Sequence, residues 1–200
     1  MEYMKIILVH GYKSSPKGNF LPWLERELRA RGFDVVVPEL PNPEAPDRDE
    51  WTEALVKASV PLTDQTIIVG HSLGGAATLR MLEAAEARST PHAMVMISTP
   101  WMIKDEKFRG FFMSELDFEV LMWRASKFVV IHAQNDPIIP VEHGKRYASA
   151  LHAKLITPET GEHFQGEEYP IILQAILDVA AEPIVYEPGK GLNDDFSEIR

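Results

Sequence analysis

The sequence predicts an α/β protein: a three-layer α/β/α sandwich on a doubly wound, mostly parallel six-stranded sheet. Three observations carry that expectation. Short apolar runs rich in β-branched residues recur along the chain, at 6–9, 35–37, 66–69, 93–97, 128–131 and 155–157. The stretches between them show helical spacing of apolar residues. The regular strand–helix alternation implies right-handed crossovers, with helices on both faces.

The bulk properties bound the rest. A chain of 200 residues with 45% hydrophobic composition can bury one sizeable core, so 1–182 reads as a single domain and 183–200 as a C-terminal tail. A formal net charge of −10 offers no basic field to a phosphate backbone, so nucleic acid is not expected as a partner. The apolar run near the N-terminus is too short for a membrane span or a signal-peptide core. Cysteine is absent, which excludes disulfides and thiolate chemistry and fits a reducing cytosol; a soluble cytoplasmic protein is the expectation.

After the first run, Asn19 is placed to cap a helix with Phe20, Leu21, Trp23, Leu24 and Leu28 on one face, and Gly32 as its stop. The second run leads into 38–46, whose prolines 38, 41, 43 and 46 enforce an extended path. Asp47 and Glu50 then stand in capping-box spacing before Trp51, Leu55 and Ala58. Further amphipathic stretches cover 73–88, 141–151 and 168–181. The segment 98–123 is longer than a plain crossover and rich in aromatic residues and methionine. It reads either as a small cap beside a site or as crossover packing, the latter suggested by Phe118, Leu121 and Met122 at helical spacing.

Where the third run meets its helix stands Gly70-His71-Ser72-Leu73-Gly74. A serine in a tight strand-to-helix turn has strained backbone angles, and small residues two before and two after it let the chain pass. Its hydroxyl projects from the carboxyl edge of the sheet, and the helix start supplies free N–H groups for a developing oxyanion. Ser72 is therefore the candidate nucleophile. His10-Gly11-Tyr12 follows the first run. With strand order 2-1-3-4-5-6, strands one and three are neighbours whose connections leave in opposite directions and frame a crevice. This makes the backbone N–H groups of Tyr12 and Leu73 the candidate oxyanion hole. His10 and His71 read as structural imidazoles holding their turns rather than as bases.

A serine hydroxyl needs a neighbouring base, and imidazole suits the task at neutral pH. The loop after the fifth run holds Asp136 and the loop after the sixth holds His163, in the chain order serine, acid, histidine. Asp136 is expected to orient the His163 ring. Glu159 and Glu162 share the loop of His163 and are poorly placed to reach it from behind. His92 belongs at the opposite end of the sheet, and His143 and His152 on a surface helix. Gly11, His71, Trp101, Met102 and Ile138 are the candidate substrate-binding residues. No histidine and carboxylate cluster has metal-ligand spacing, so neither metal nor other cofactor is expected.

These residues resemble the small serine hydrolases of the retinoblastoma-binding-protein-nine and YdeN-like type, within the α/β-hydrolase superfamily. The likeness runs from Ile6 to about Ala181. It rests on His10-Gly11-Tyr12 with Ser14-Ser15, Phe20-Leu21-Pro22-Trp23-Leu24, Leu40-Pro41-Asn42-Pro43, Trp51 and the Ser72 pentapeptide. Asn135-Asp136-Pro137-Ile138-Ile139-Pro140 and Gly161-Glu162-His163-Phe164 complete it. The resemblance implies a minimal α/β-hydrolase fold without a large lid and triad roles for Ser72, Asp136 and His163. Glu162 stands where that family usually has glycine. The expected activity is hydrolysis of a small-molecule carboxylic ester of short or medium acyl chain through an acyl-Ser72 intermediate. Amide or peptide hydrolysis, acyl transfer on the same triad, and a non-catalytic scaffold are the alternatives.

Overall fold

The computed structural model describes residues 4–85 and 90–183. Six parallel strands form one sheet: β1 (Lys5–Val9), β2 (Asp34–Val36), β3 (Thr66–His71), β4 (Ala93–Ile97), β5 (Phe128–Ile131) and β6 (Lys154–Ile156), in the order β2-β1-β3-β4-β5-β6. Strands β3, β4 and β5 are buried throughout, as is all of β1 except Lys5. Helices cover both faces, so these strands appear in the sequence as unbroken apolar runs. Both edge strands start and end one residue before their expected positions. Their first residues, Asp34 and Lys154, are exposed, and no burial pattern marks where pairing begins.

Among the described residues seven helices flank the sheet: α1 (Leu21–Ala30), α2 (Arg48–Ser59), α3 (Leu73–Ala84), α4 (Arg109–Phe112), α5 (Phe118–Leu121), α6 (Val141–Ala150) and α7 (Pro170–Ala181). On one face α1 and α7 bury Leu21, Leu24, Leu28, Ile172 and Ile176. On the other, α2 to α6 bury Trp51, Leu55, Leu82, Phe111, Leu121 and Tyr147. Each such leucine or isoleucine contributes about 1.5–3 kcal/mol by leaving water. Among the described residues no helix is long and apolar enough to cross a membrane.

Local signals set the helix ends, with corrections to the expected caps. Asn19 does not cap α1: its backbone is left-handed at φ +53°, a conformation asparagine tolerates, and Phe20 occupies the cap position without a side-chain bond. Asp47 does cap α2, accepting from the N–H groups of Asp49 and Glu50 at 2.8 and 3.0 Å. The reciprocal half of the box is missing, because the Glu50 carboxylate takes the Asn42 amide instead, at 3.2 Å. Helix α3 ends at Ala84, short of the expected 88; residues 86–89 and the tail from 184 lie outside the described residues. Helix α7 starts two residues later than expected, with Pro170 in its first turn, where a missing N–H costs nothing.

The 98–123 segment holds a short 3₁₀ turn at Glu106–Phe108, then α4 and α5. Phe108, Phe111 and Leu121 are core residues, whereas Met122 is exposed and Phe118 only partly buried. Arg80, on the buried side of α3, fastens this segment to the helix. Its guanidinium donates to the carbonyls of Phe111 and Ser114, and Glu83 accepts from the Asp117 N–H at 2.7 Å. These bonds tie the segment to the helix that begins after Ser72.

Candidate active site

The carboxyl ends of β3, β4 and β5 finish flush, because the parallel ladder continues one residue past each strand. The N–H groups of Ser72, Ser98 and His132 donate to the carbonyls of Ile97, Ile131 and Ile156 at 2.8, 2.9 and 3.0 Å. Three polar side chains are thereby set side by side along one sheet edge.

Ser72 sits at the β3–α3 junction with φ 53° and ψ −127°. A non-glycine residue held there stores on the order of 1–3 kcal/mol, maintained by the structure around it. That structure leaves no room beside the turn. A methyl group on Gly74 would lie 2.3 Å from the His10 carbonyl oxygen, and one on Gly70 would lie 2.6 Å from the Gly75 Cα. The glycines of the pentapeptide are thus spaces for backbone, which is why α3 can start so close to β1.

Ser72, His163 and Asp136 form one hydrogen-bonded chain. The Ser72 hydroxyl donates to His163 Nε2 at 2.9 Å, and His163 Nδ1–H donates to Asp136 Oδ2 at 2.9 Å. His163 and Asp136 are both buried, at 4% and 8% exposure, so the pair is shielded from competing water. Burial alone would raise the Asp136 pKa. Hydrogen bonds from His132, His163, the Ile139 N–H and Ser98 outweigh it and hold the carboxyl far below its ordinary range. The carboxylate is therefore ionised wherever the protein is folded near neutral pH. Its other oxygen, Oδ1, accepts from the N–H groups of Ile138 and Ile139, both at 2.9 Å.

The remaining expected residues divide. Gly11 lies against the nucleophile: a methyl there would sit 3.0 Å from the Ser72 Cβ and 3.6 Å from the Leu73 nitrogen. Tyr12 follows it, its ring edge-on to Phe108 at 4.9 Å, and Leu73 begins α3, where an N–H has no intrahelical partner. Ile138 and Met102 expose their side chains, at 52% and 42%. Trp101 is stacked on Phe118 at 4.9 Å and tilted against Tyr147. His71 is buried at 3% exposure and supports the site from behind. Its Nε2–H donates to the His163 carbonyl at 2.8 Å, and burial, with the His163 charge nearby, pushes its pKa down to about 4.

His10 likewise holds a turn, donating from Nδ1 to the Gly11 carbonyl and accepting the Leu40 N–H at Nε2. Its pKa is lowered, first by burial. His92 is buried at the far end of the sheet and bonds the Val179 carbonyl at 2.7 Å. His143 is more than a surface residue, since its Nδ1 accepts the Trp101 N–H at 2.9 Å. Sequence reasoning missed Ser98 and His132. Ser98 Oγ donates to Asp136 Oδ2 at 2.7 Å, and His132 Nε2 bonds the Ile139 carbonyl at 2.8 Å. Each is the first polar residue past a buried strand on the β3 side of the switch point, and that position is the signal that marks them.

Among the described residues no group of three or more histidines and carboxylates is arranged to hold a metal ion. A depression of about 380 Å³, lined by Met122, Phe128, Leu151, His152 and Lys154, lies at the amino ends of β5 and β6, away from Ser72. The chemistry of the site does not depend on it.

Comparison with known proteins shows the family and the fold. The model of a family described as serine hydrolase matches residues 6–169. YdeN of Bacillus subtilis (strain 168), described as a hydrolase, is 29% identical over 181 residues, covering 88% of this chain and 93% of that protein. The serine hydrolase RBBP9 of Rattus norvegicus is 22% identical over 158 residues, covering 77% and 82%. The crystal structure of the B. subtilis ydeN gene product superposes with a TM-score of 0.82 at 26% identity, covering 89% of this chain and 99% of that one. Est1E from Butyrivibrio proteoclasticus, at 14% identity and a TM-score of 0.71 over 90% of each chain, shares the fold.

Proposed function

The chain belongs to the serine hydrolase family, and from that membership we infer that it cleaves a small-molecule carboxylic ester through an acyl-Ser72 intermediate. The observation that carries this reading is the Ser72–His163–Asp136 chain, with both hydrogen bonds at 2.9 Å.

In the proposed mechanism Ser72 Oγ attacks the ester carbonyl while its proton passes to His163 Nε2. Asp136 keeps the Nδ1–H tautomer in place and stabilises the imidazolium that forms. The carbonyl oxygen becomes an oxyanion facing the N–H groups of Leu73 and Tyr12. Collapse breaks the bond to the leaving alkoxide, which takes the proton from His163. A water molecule then repeats the sequence on the acyl-serine, releasing the acid and restoring Ser72. Met102 and Ile138, both exposed, and the edge of Trp101 supply apolar surface for a short or medium acyl chain.

A series of p-nitrophenyl esters of rising acyl length, run beside the matching anilides, tests the proposal. The expected result is ester cleavage strongest for short or medium chains, with an initial burst of p-nitrophenol near one equivalent when deacylation is slow. Cleavage of the anilides at rates equal to the esters would move the assignment to amide hydrolysis. Turnover of neither series by protein that fails to react at Ser72 would favour a scaffold.

A further inference from the structure

We propose that Ser98 is a positioning residue for this reaction, its hydroxyl setting how strongly Asp136 holds and polarises the His163 imidazole. The proposal rests on the roles just assigned to Ser72, His163 and Asp136.

The geometry is specific to one atom. Asp136 Oδ2 receives the His163 Nδ1–H at 2.9 Å and the Ser98 hydroxyl at 2.7 Å, so the two donors share a single oxygen. Ser98 is fully buried, and its backbone is left-handed at φ +45°. Glycine would hold that conformation without steric cost, so what the serine adds at this position is its hydroxyl. Its N–H is tied to Ile131 in the ladder that also places Ser72, which fixes the hydroxyl relative to both ends of the chain.

The other oxygen is already saturated by two backbone N–H groups. His132 also faces Oδ2, at 3.5 Å, and shares its Nε2–H with the Ile139 carbonyl at 2.8 Å. At 2.7 Å the Ser98 hydroxyl is the side-chain donor nearest Oδ2, and it competes with His163 for the charge there. A donor on the carboxylate spreads its negative charge and weakens its hold on the imidazolium. Without the hydroxyl, that charge concentrates on the bond to His163 and raises the proton affinity of the ring.

The titratable groups facing Asp136 are His163 on the loop after β6, His132 at the end of β5, His71 at the end of β3 and His143 on α6. A histidine titration therefore has to be assigned to its residue. The test compares wild type with Ser98→Ala and Ser98→Gly, the latter chosen because the left-handed backbone favours it if the alanine variant fails to fold. The His163 ring is titrated by NMR on protein with ¹⁵N-labelled histidine, and kcat/KM for p-nitrophenyl butyrate is followed against pH.

In both variants the His163 midpoint and the acid limb of the rate profile are expected to move together to higher pH, by about half a unit. A role confined to satisfying a buried polar group would lower stability or rate and leave the midpoint where it is. A midpoint within about 0.1 of wild type, or one displaced to lower pH, would overturn the proposal. The NMR titration needs no turnover, so an inactive wild type would sink the ester reading while the titration still judged Ser98.

Discussion

Protonation of His71 is expected to cost the fold about 3 kcal/mol between pH 7 and 4. The ring is buried, its Nε2–H is used on the His163 carbonyl, and its Nδ1 has no hydrogen-bond partner among the described residues. A second proton would sit on Nδ1 without solvation and close to His163. The pKa falls from an ordinary 6.5 to about 4, with burial the largest cause. The unfolded chain thus takes up this proton near pH 6.5 and the folded chain only near 4, so stability is full above the first value and lost on the way to the second. A gap of about 2.5 in pH, at 1.36 kcal/mol each, gives about 3 kcal/mol, a large share of the 5–15 kcal/mol that holds a typical domain. Asp136 acts elsewhere: its depressed pKa contributes stability above about pH 3.9 that is lost only below it. Urea unfolding from pH 7 to 4 on wild type and His71→Gln is the assay, since glutamine keeps a donor and cannot be protonated. His10 and His143, whose pKa values are also lowered chiefly by burial, act in both proteins and cancel in the difference. The wild type should lose about 3 kcal/mol more than the variant. Parallel curves would refute the reasoning.

Three further predictions concern the site. Asp136→Asn must place an NH₂ group either against the two backbone donors at Oδ1 or against Ser98 and His163 at Oδ2; kcat should fall about 10⁴-fold, and a loss under tenfold in ester turnover would contradict the orienting role. Gly74→Ala places a methyl 2.3 Å from the His10 carbonyl oxygen, so α3 must lift from β1 at a cost of about 3 kcal/mol; an unchanged thermal midpoint would show that the turn has more room. Glu162 is exposed with φ 50°, a backbone that suits glycine. Glu162→Gly should therefore leave stability within about 0.5 kcal/mol, relief of strain offsetting lost chain stiffness, with urea unfolding as the check; a larger loss would give the glutamate side chain a role.

What could be read from the sequence follows burial. The four inner strands were legible because both faces are covered, and Ser72 because Gly70 and Gly74 mark a turn that admits only backbone. Asp136 and His163 were legible from chain order, each falling in the loop after a buried run. The edge strands slipped by one residue because Asp34 and Lys154 face solvent and carry no pattern. Asn19 matched the preference for a helix cap, yet the same residue type also accepts the left-handed backbone it adopts. His71 was expected both to hold its turn and to line the substrate surface; its ring is buried and bonds the His163 carbonyl. Ser98 acts across strands: its partner lies 38 residues away, and only the flush ends of β4 and β5 bring the two together. His132 bonds within its own loop, to the Ile139 carbonyl.

The most direct test of Ser72 as nucleophile is labelling with a fluorophosphonate probe, followed by mass spectrometry of the modified peptide. One phosphonyl group should appear on Ser72 in the wild type and none in Ser72→Ala. Undiminished labelling of that variant, or modification at another residue, would contradict the account.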